Sequence, residues 1–267
     1  MVRIKTQSYQ KVMTNRTRVI DVADEIAFRI VSGKYAVGEN LPGIRKLATE
    51  FSINPSTVQI VLAKLESIGF VKSRPSAGFS VIDVETDGGI ATWKYIFRFA
   101  QQIPDRAVRL YRDLLDFRSL IIVDALKRIA KEPQRFSVAT VRREVERLEL
   151  VMKTSSDDCL EIARAQINTL RALYIATEQA VLTSVINSIS EVYLEVPAVM
   201  QTMTDKPEVH VEMWKFLILE WEQGTLSEET IQVNIQLLKS FDDILLKHFE
   251  QIVTSPGYKP DIYSLTL

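Results

Sequence analysis

Apolar residues in the first third of the chain recur every three to four positions in three short runs, then give way to a brief alternation. In 18–32, Val19, Val22, Ile26 and Ile30 share one face of a helix, and Gly33 stands where such a helix ends. Gly38, Pro42 and Gly43 punctuate the loop that follows. Ile44, Leu47, Ala48 and Phe51 predict a second, short helix, and Ser52-Ile53-Asn54 a tight turn. The third run begins at Pro55, which suits the first helical position, with Asn54 as N-cap. It carries Val58, Val61 or Leu62, Leu65 and Ile68 inward and stops at Gly69. Residues 70–83 then read as two strands about the turn Pro75-Ser76-Ala77-Gly78, with Phe70, Val71, Phe79 and Val81 available to a core.

Beyond the polar stretch VETDGG only helical spacing persists. Ala107, Leu110, Leu114, Phe117, Ile121, Ala125 and Ile129 mark one face of a helix over 105–132, ended by Pro133. Further helices are predicted over 90–102, 137–153, 157–178, 180–196, 208–223 and 227–252. Pro104, Ser155-Ser156, Pro197, Pro207 and Gly224 separate them, and Ser227 with Thr230 looks like a helix start. The expected fold is mostly α: an N-terminal winged helix-turn-helix followed by an all-helical bundle. The expected divisions are a basic N-terminal arm (1–17), a winged helix (18–84), an all-α ligand-binding and regulatory domain (85–253) and a C-terminal tail (254–267).

Composition narrows the class without naming it. At 46 % hydrophobic and 25 % charged residues, the 267-residue chain is neither disordered nor fibrous. No apolar run approaches the roughly 18–20 residues of a membrane span. The N-terminus is basic but lacks an apolar signal core, and Cys159 is the single cysteine, so a cytoplasmic location is expected. No phosphate-binding glycine loop, nucleophile elbow or His–Cys pairing occurs, so catalysis is not expected. Charge is uneven: residues 1–85 hold 12 Lys and Arg against 8 Asp and Glu, whereas the remainder holds 21 against 26. A basic head on an acidic body points the head at a polyanion.

The geometry of a winged helix-turn-helix supplies the chemistry. The second helix of the pair offers its N-terminal turn to the major groove, where Ser56, Thr57 and Gln59 are short enough to approach base edges and phosphates. Asn54 caps that helix, whose N-terminus favours a phosphate. Arg45 and Lys46 project from the preceding helix, and Lys72, Arg74 and Gly78 belong to the wing. A protein-binding helical module is the competing reading, and these basic side chains speak against it.

The run from Gly33 to Val81 resembles the DNA-binding half of the GntR family of bacterial transcription regulators. The resemblance rests on the Gly33–Tyr35–Gly38 loop, Leu41-Pro42, Arg45 with Leu47-Ala48, Thr57-Val58, Leu65-Glu66, Gly69 and Gly78. It implies a homodimer binding a double-stranded operator. Members with large helical effector domains usually carry a second Arg in the recognition turn. This chain has Gln59 there, more like the branches with small effector domains, and the preferred half-site is expected to differ.

The second half resembles the FadR-type effector domain, most clearly in LYRDLLDFRSLIIVDALKRIA, QINTLRALYIATEQAVLTSVINSI and MWKFLILEWEQGTLSEETIQ. Many such domains hold a metal through one Asp and three His. This chain has two histidines, His210 and His248, and the aligned ligand positions fall on Gln166, Leu170, Trp214 and near Asn234 or Gln236, so no metal and no cofactor is expected. The metal-free branch includes the fatty-acid regulators, which implies an acyl-CoA or another apolar acid as effector. A small carboxylate, or no effector at all, is the alternative. Gln166, Leu170, Tyr193 and Trp214 are the candidate effector contacts. For Gln166, on an apolar stripe between Ile162 and Leu170, a hydrogen bond within the core and contact with a ligand both remain open. His210 and His248 are expected to be solvated or locally bonded.

Overall fold

A computed structural model describes residues 18–255; the expected arm 1–17 and the tail from 256 onward lie outside the described residues. The chain forms two compact units that meet at 103/104.

In the first unit, α1 covers 18–31, α2 Ile44–Glu50 and α3 Pro55–Ile68. Strands β1 (Val71–Arg74) and β2 (Gly78–Val81) pair antiparallel with Val71 opposite Val81 and Arg74 opposite Gly78. The 38–41 loop lies along the free side of β2: Leu41 N–H donates to the Phe79 carbonyl, and Val81 N–H to that of Glu39. Ile26, Leu47, Val58, Val61, Leu65 and Phe70 are fully buried and form the common core. Phe79 is only half-buried, because in this register the buried β2 positions are Ser80 and Val81.

The expected boundary at 84/85 falls inside this unit. The polar stretch closes a tight turn, in which a Cβ on Gly88 would stand 2.2 Å from the Val84 carbonyl oxygen. Helix α4 (Ile90–Arg98) then returns to the winged helix. Tyr95 meets Phe70 edge to face at 5.1 Å between centroids, Phe99 meets Phe28 at 5.2 Å, and Arg98 pairs with Asp24 at 2.9 Å. Burial of Tyr95, Ile96 and Phe97 makes α4 part of this core rather than an opening helix of the second domain.

The second unit is helical throughout its described residues: α5 Pro104–Lys131, α6 Ala139–Thr154, α7 Cys159–Ala176, α8 Ala180–Glu195, α9 Pro197–Thr204, α10 Pro207–Gln223 and α11 Glu228–Thr254. Helices α5 and α11 pack antiparallel, with Tyr111 stacked on Phe249 at 4.4 Å and Arg118 paired with Asp242 about two turns along. Helix α7 packs on α6, α8 and α9. Ser227 caps α11 by accepting from Thr230 N–H, as the sequence suggests. Helix α9 is an addition to the predicted set. Pro197 starts it at the first helical turn, where proline costs no hydrogen bond, instead of merely breaking the chain.

Candidate DNA interface and ligand cavity

Helix α3 of the first unit turns Thr57, Val58, Val61, Leu62 and Leu65 inward. The opposite face is left to solvent, so Ser56 and Gln59 are exposed as expected. Thr57 is not: only 4 % of it is exposed, and it drops out of the base-contacting set because its position shares the buried face with Val58 and Val61. Asn54 occupies the N-cap with extended backbone, but its side chain makes no capping hydrogen bond. Pro55 leaves one fewer amide to satisfy at that end. Sequence reasoning missed Ile60, which is 55 % exposed beside Gln59. An apolar side chain on the open face of such a helix can pack on a thymine methyl.

Around α3 lie the basic groups. Arg45 and Lys46 are exposed on α2, and Lys72 on β1. Arg74 is exposed but not loose: its Nε donates to Ser80 Oγ at 2.9 Å, which fixes the guanidinium along the wing. At the tip, Gly78 has φ +82°, a conformation that closes the turn after Ser76. Glu66 joins wing to helix by accepting from Ser73 N–H at 2.7 Å, and hydrogen bonding from Ser73, its hydroxyl first and then its N–H, holds the carboxyl below the usual range. The result is a rigid platform with small polar and apolar groups in the centre and cations on its margins, the layout that separates base readout from phosphate positioning.

Residues 19–81 match the family model described as "Bacterial regulatory proteins, gntR family". This match covers the winged helix of the first unit, from α1 to β2. Two relatives share this part. An uncharacterised HTH-type transcriptional regulator of Bacillus subtilis, YhcF, is 32 % identical over 59 residues, 22 % of this chain and 49 % of its own length. An uncharacterised HTH-type transcriptional regulator of Escherichia coli, YjiR, is 37 % identical over 65 residues, 24 % of this chain and 14 % of its own. The chain thus spans half or less of these relatives. A solved structure of Lar, reported to control the expression of the Listeria monocytogenes agr system and to mediate virulence, aligns with a TM-score of 0.55 at 15 % identity. That alignment covers 86 % of this chain and 95 % of Lar, a likeness of fold that extends past the GntR winged helix into the helical unit.

The helical unit contains a partly open cavity of about 100 Å³, and Gln166, Leu170, Tyr193 and Trp214 all line it. Most of the wall is apolar, supplied by α5, α7, α8, α10 and α11. Gln166 is 6 % exposed, and neither its Oε1 nor its Nε2 has a hydrogen-bonding partner. Three polar residues join these four: Arg118, which sequence reasoning missed, Asn234, one of the aligned ligand positions, and His210. Arg118 on α5 lines the cavity and pairs with the Asp242 carboxylate, which also accepts from Ser119 Oγ at 2.8 Å. Asn234 lines it from α11, its amide donating to the Thr230 carbonyl. His210 is half-buried rather than freely solvated: it lines the cavity, edge-on to Phe241 at 4.6 Å, and desolvation pushes its pKa down to about 3. Burial likewise raises the Tyr193 phenol. Among the described residues no group of three or more His, Cys, Asp or Glu could hold a metal, and no helix is long and apolar enough to cross a membrane.

Proposed function

We propose that this chain is an operator-binding transcription regulator whose DNA affinity responds to a small molecule held in the helical unit. The observation that carries the first half is the exposed, cation-flanked face of α3 in a GntR winged helix. Ser56, Gln59 and Ile60 meet base edges in the major groove. Arg45, Lys46, Lys72, Arg74 and the Asn54 end of α3 position phosphates, and Gly78 lets the wing approach the backbone. One winged helix reads only a short half-site, so two copies act together on a palindromic operator.

The second half of the reading is supported by the orphaned Gln166 amide in a mostly apolar cavity, in a unit resembling FadR-type effector domains. An acyl-CoA is the effector this resemblance implies. The cavity is smaller than the roughly 150 Å³ that accommodates benzene in other proteins, so a long acyl chain would enter only if the helices part. A compact molecule fits better. Such an effector acts by binding two arrangements of the protein with different affinity.

Fluorescence anisotropy with duplex DNA from the protein's own upstream region tests the DNA half. Arg45→Ala and Lys72→Ala are each expected to weaken binding and to lower the slope of log affinity against log salt by about one. Binding that is absent, or indifferent to salt, refutes the proposal.

A further inference from the structure

The cavity carries information about the charge of what it accepts. Two of its polar groups are spoken for: Ser190 Oγ donates to the Asn187 carbonyl at 2.7 Å, and the Asn234 amide donates to Thr230. The cation at its wall, Arg118, is already matched by Asp242, and both side chains are largely buried, 14 % and 12 % exposed. An incoming carboxylate would therefore meet an occupied guanidinium with another carboxylate behind it. It would lose its hydration without gaining an uncompensated positive charge. His210 gives no help, since it stays uncharged. What the cavity leaves unmatched is neutral hydrogen-bonding capacity. Gln166 offers a donor at Nε2 and an acceptor at Oε1, and Arg118 Nε is a further buried donor with no partner.

We propose that the cavity selects an uncharged effector, a small apolar carboxamide or lactam, and rejects the corresponding carboxylate. The ligand carbonyl accepts from Gln166 Nε2 and Arg118 Nε, its N–H donates to Gln166 Oε1, and its hydrocarbon part lies against Leu170 and Trp214. This rests on the effector reading of the cavity and specifies its chemistry, away from the acid that the family resemblance implies.

The test uses matched pairs of equal shape and compact size, acetamide with acetate and isobutyramide with isobutyrate, titrated into the whole chain at pH 7. Intrinsic fluorescence reports occupancy, because Trp214 lines the site, and the melting temperature reports it independently. The amides are expected to bind at least tenfold more tightly than the acids. Gln166→Leu should abolish amide binding. Asp242→Asn, which frees the Arg118 charge, should reverse the order, so that isobutyrate binds where the wild type ignores it. That gain is not a consequence of a merely loosened fold. If the acids bind the wild type as well as the amides do, or if Asp242→Asn leaves the order unchanged, the charge selection is wrong while the effector site stands. If no member of either pair binds the wild type or the variant, the effector reading falls as well.

Discussion

Replacing Arg29 by Ala should loosen the platform that presents α3 without touching any residue assigned to DNA. Arg29 lies on α1 with 14 % of its side chain exposed. Its Nε donates to Glu25 at 2.7 Å, Nη1 donates to the Tyr35 hydroxyl at 3.2 Å and also pairs with the Glu50 carboxylate, and the guanidinium stands 5.1 Å from the Phe51 ring. Glu50 ends α2 and Phe51 opens the turn into α3, so one side chain ties three successive elements together. Both carboxylates are more than a third exposed or close to it, 44 % and 35 %, and solvent screening holds each ion pair to about 0.5 kcal/mol. The cation–π contact adds about 0.5 kcal/mol, and loss of the buried stem a similar amount, for about 2 kcal/mol in all. At 1.4 kcal/mol per tenfold change, that is roughly a 30-fold rise in local opening. Hydrogen-exchange mass spectrometry of the full-length protein reads it directly. Peptides from α2 and α3 should exchange about 30-fold faster, while those from α5 and α11 keep the wild-type rate. Arg29→Lys should recover little, because an ammonium cannot span the same fork. A change below threefold in the α2 and α3 peptides would show that the cluster does not hold the platform.

Two further perturbations probe the two units separately. Ile60→Ala is expected to weaken binding to the best operator about fivefold and to flatten the preference at one thymine, the loss of a methyl contact; binding-site selection with sequencing measures this, and an unchanged preference would place Ile60 off the bases. His210→Phe probes acid stability. Because burial holds the His210 pKa at about 3 in the folded protein against 6.5 ordinarily, the unfolded chain takes up a proton below pH 6.5 that the folded chain refuses. Stability contributed by keeping this residue neutral is therefore lost as pH falls from 6.5 towards 3. Urea unfolding at pH 7.0 and 4.5 should show the variant gaining about 2 kcal/mol on the wild type at the lower pH, and equal differences at both values would contradict the desolvated neutral imidazole.

The winged helix was legible because its determinants are local. Pro55 at a helix start, Gly69 at its end and a wing turn with Gly78 each fix the backbone over a few residues. Where tertiary packing decides, the sequence misled. Helical period alone allowed either face of α3 to carry Thr57, and only the assembled core of Leu47, Val58 and Phe70 turns it inward. The VETDGG stretch has a linker's composition, yet Tyr95 and Phe97 bind the following helix back to the first unit, and polar composition says nothing about which side a helix will choose. Helix α9 was hidden by reading Pro197 and Pro207 only as breaks, though proline starts helices as readily as it ends them.

The cavity divides along the same line. Gln166 was visible as a polar residue on an apolar stripe, and such an interruption is a trace that a binding site leaves in one helix. The charge balance left no trace of that kind. Arg118 and Asp242 are 124 residues apart, and each taken alone reads as an ordinary charge on an amphipathic helix. Only the antiparallel packing of α5 on α11 makes them a pair and so removes the cation that a carboxylate would need. A site's hydrogen-bonding groups can thus be inferred from one element, but its net charge belongs to the fold. For this reason a resemblance read from patterns along single helices is a weaker guide to the charge a cavity accepts than the pairing of Arg118 with Asp242.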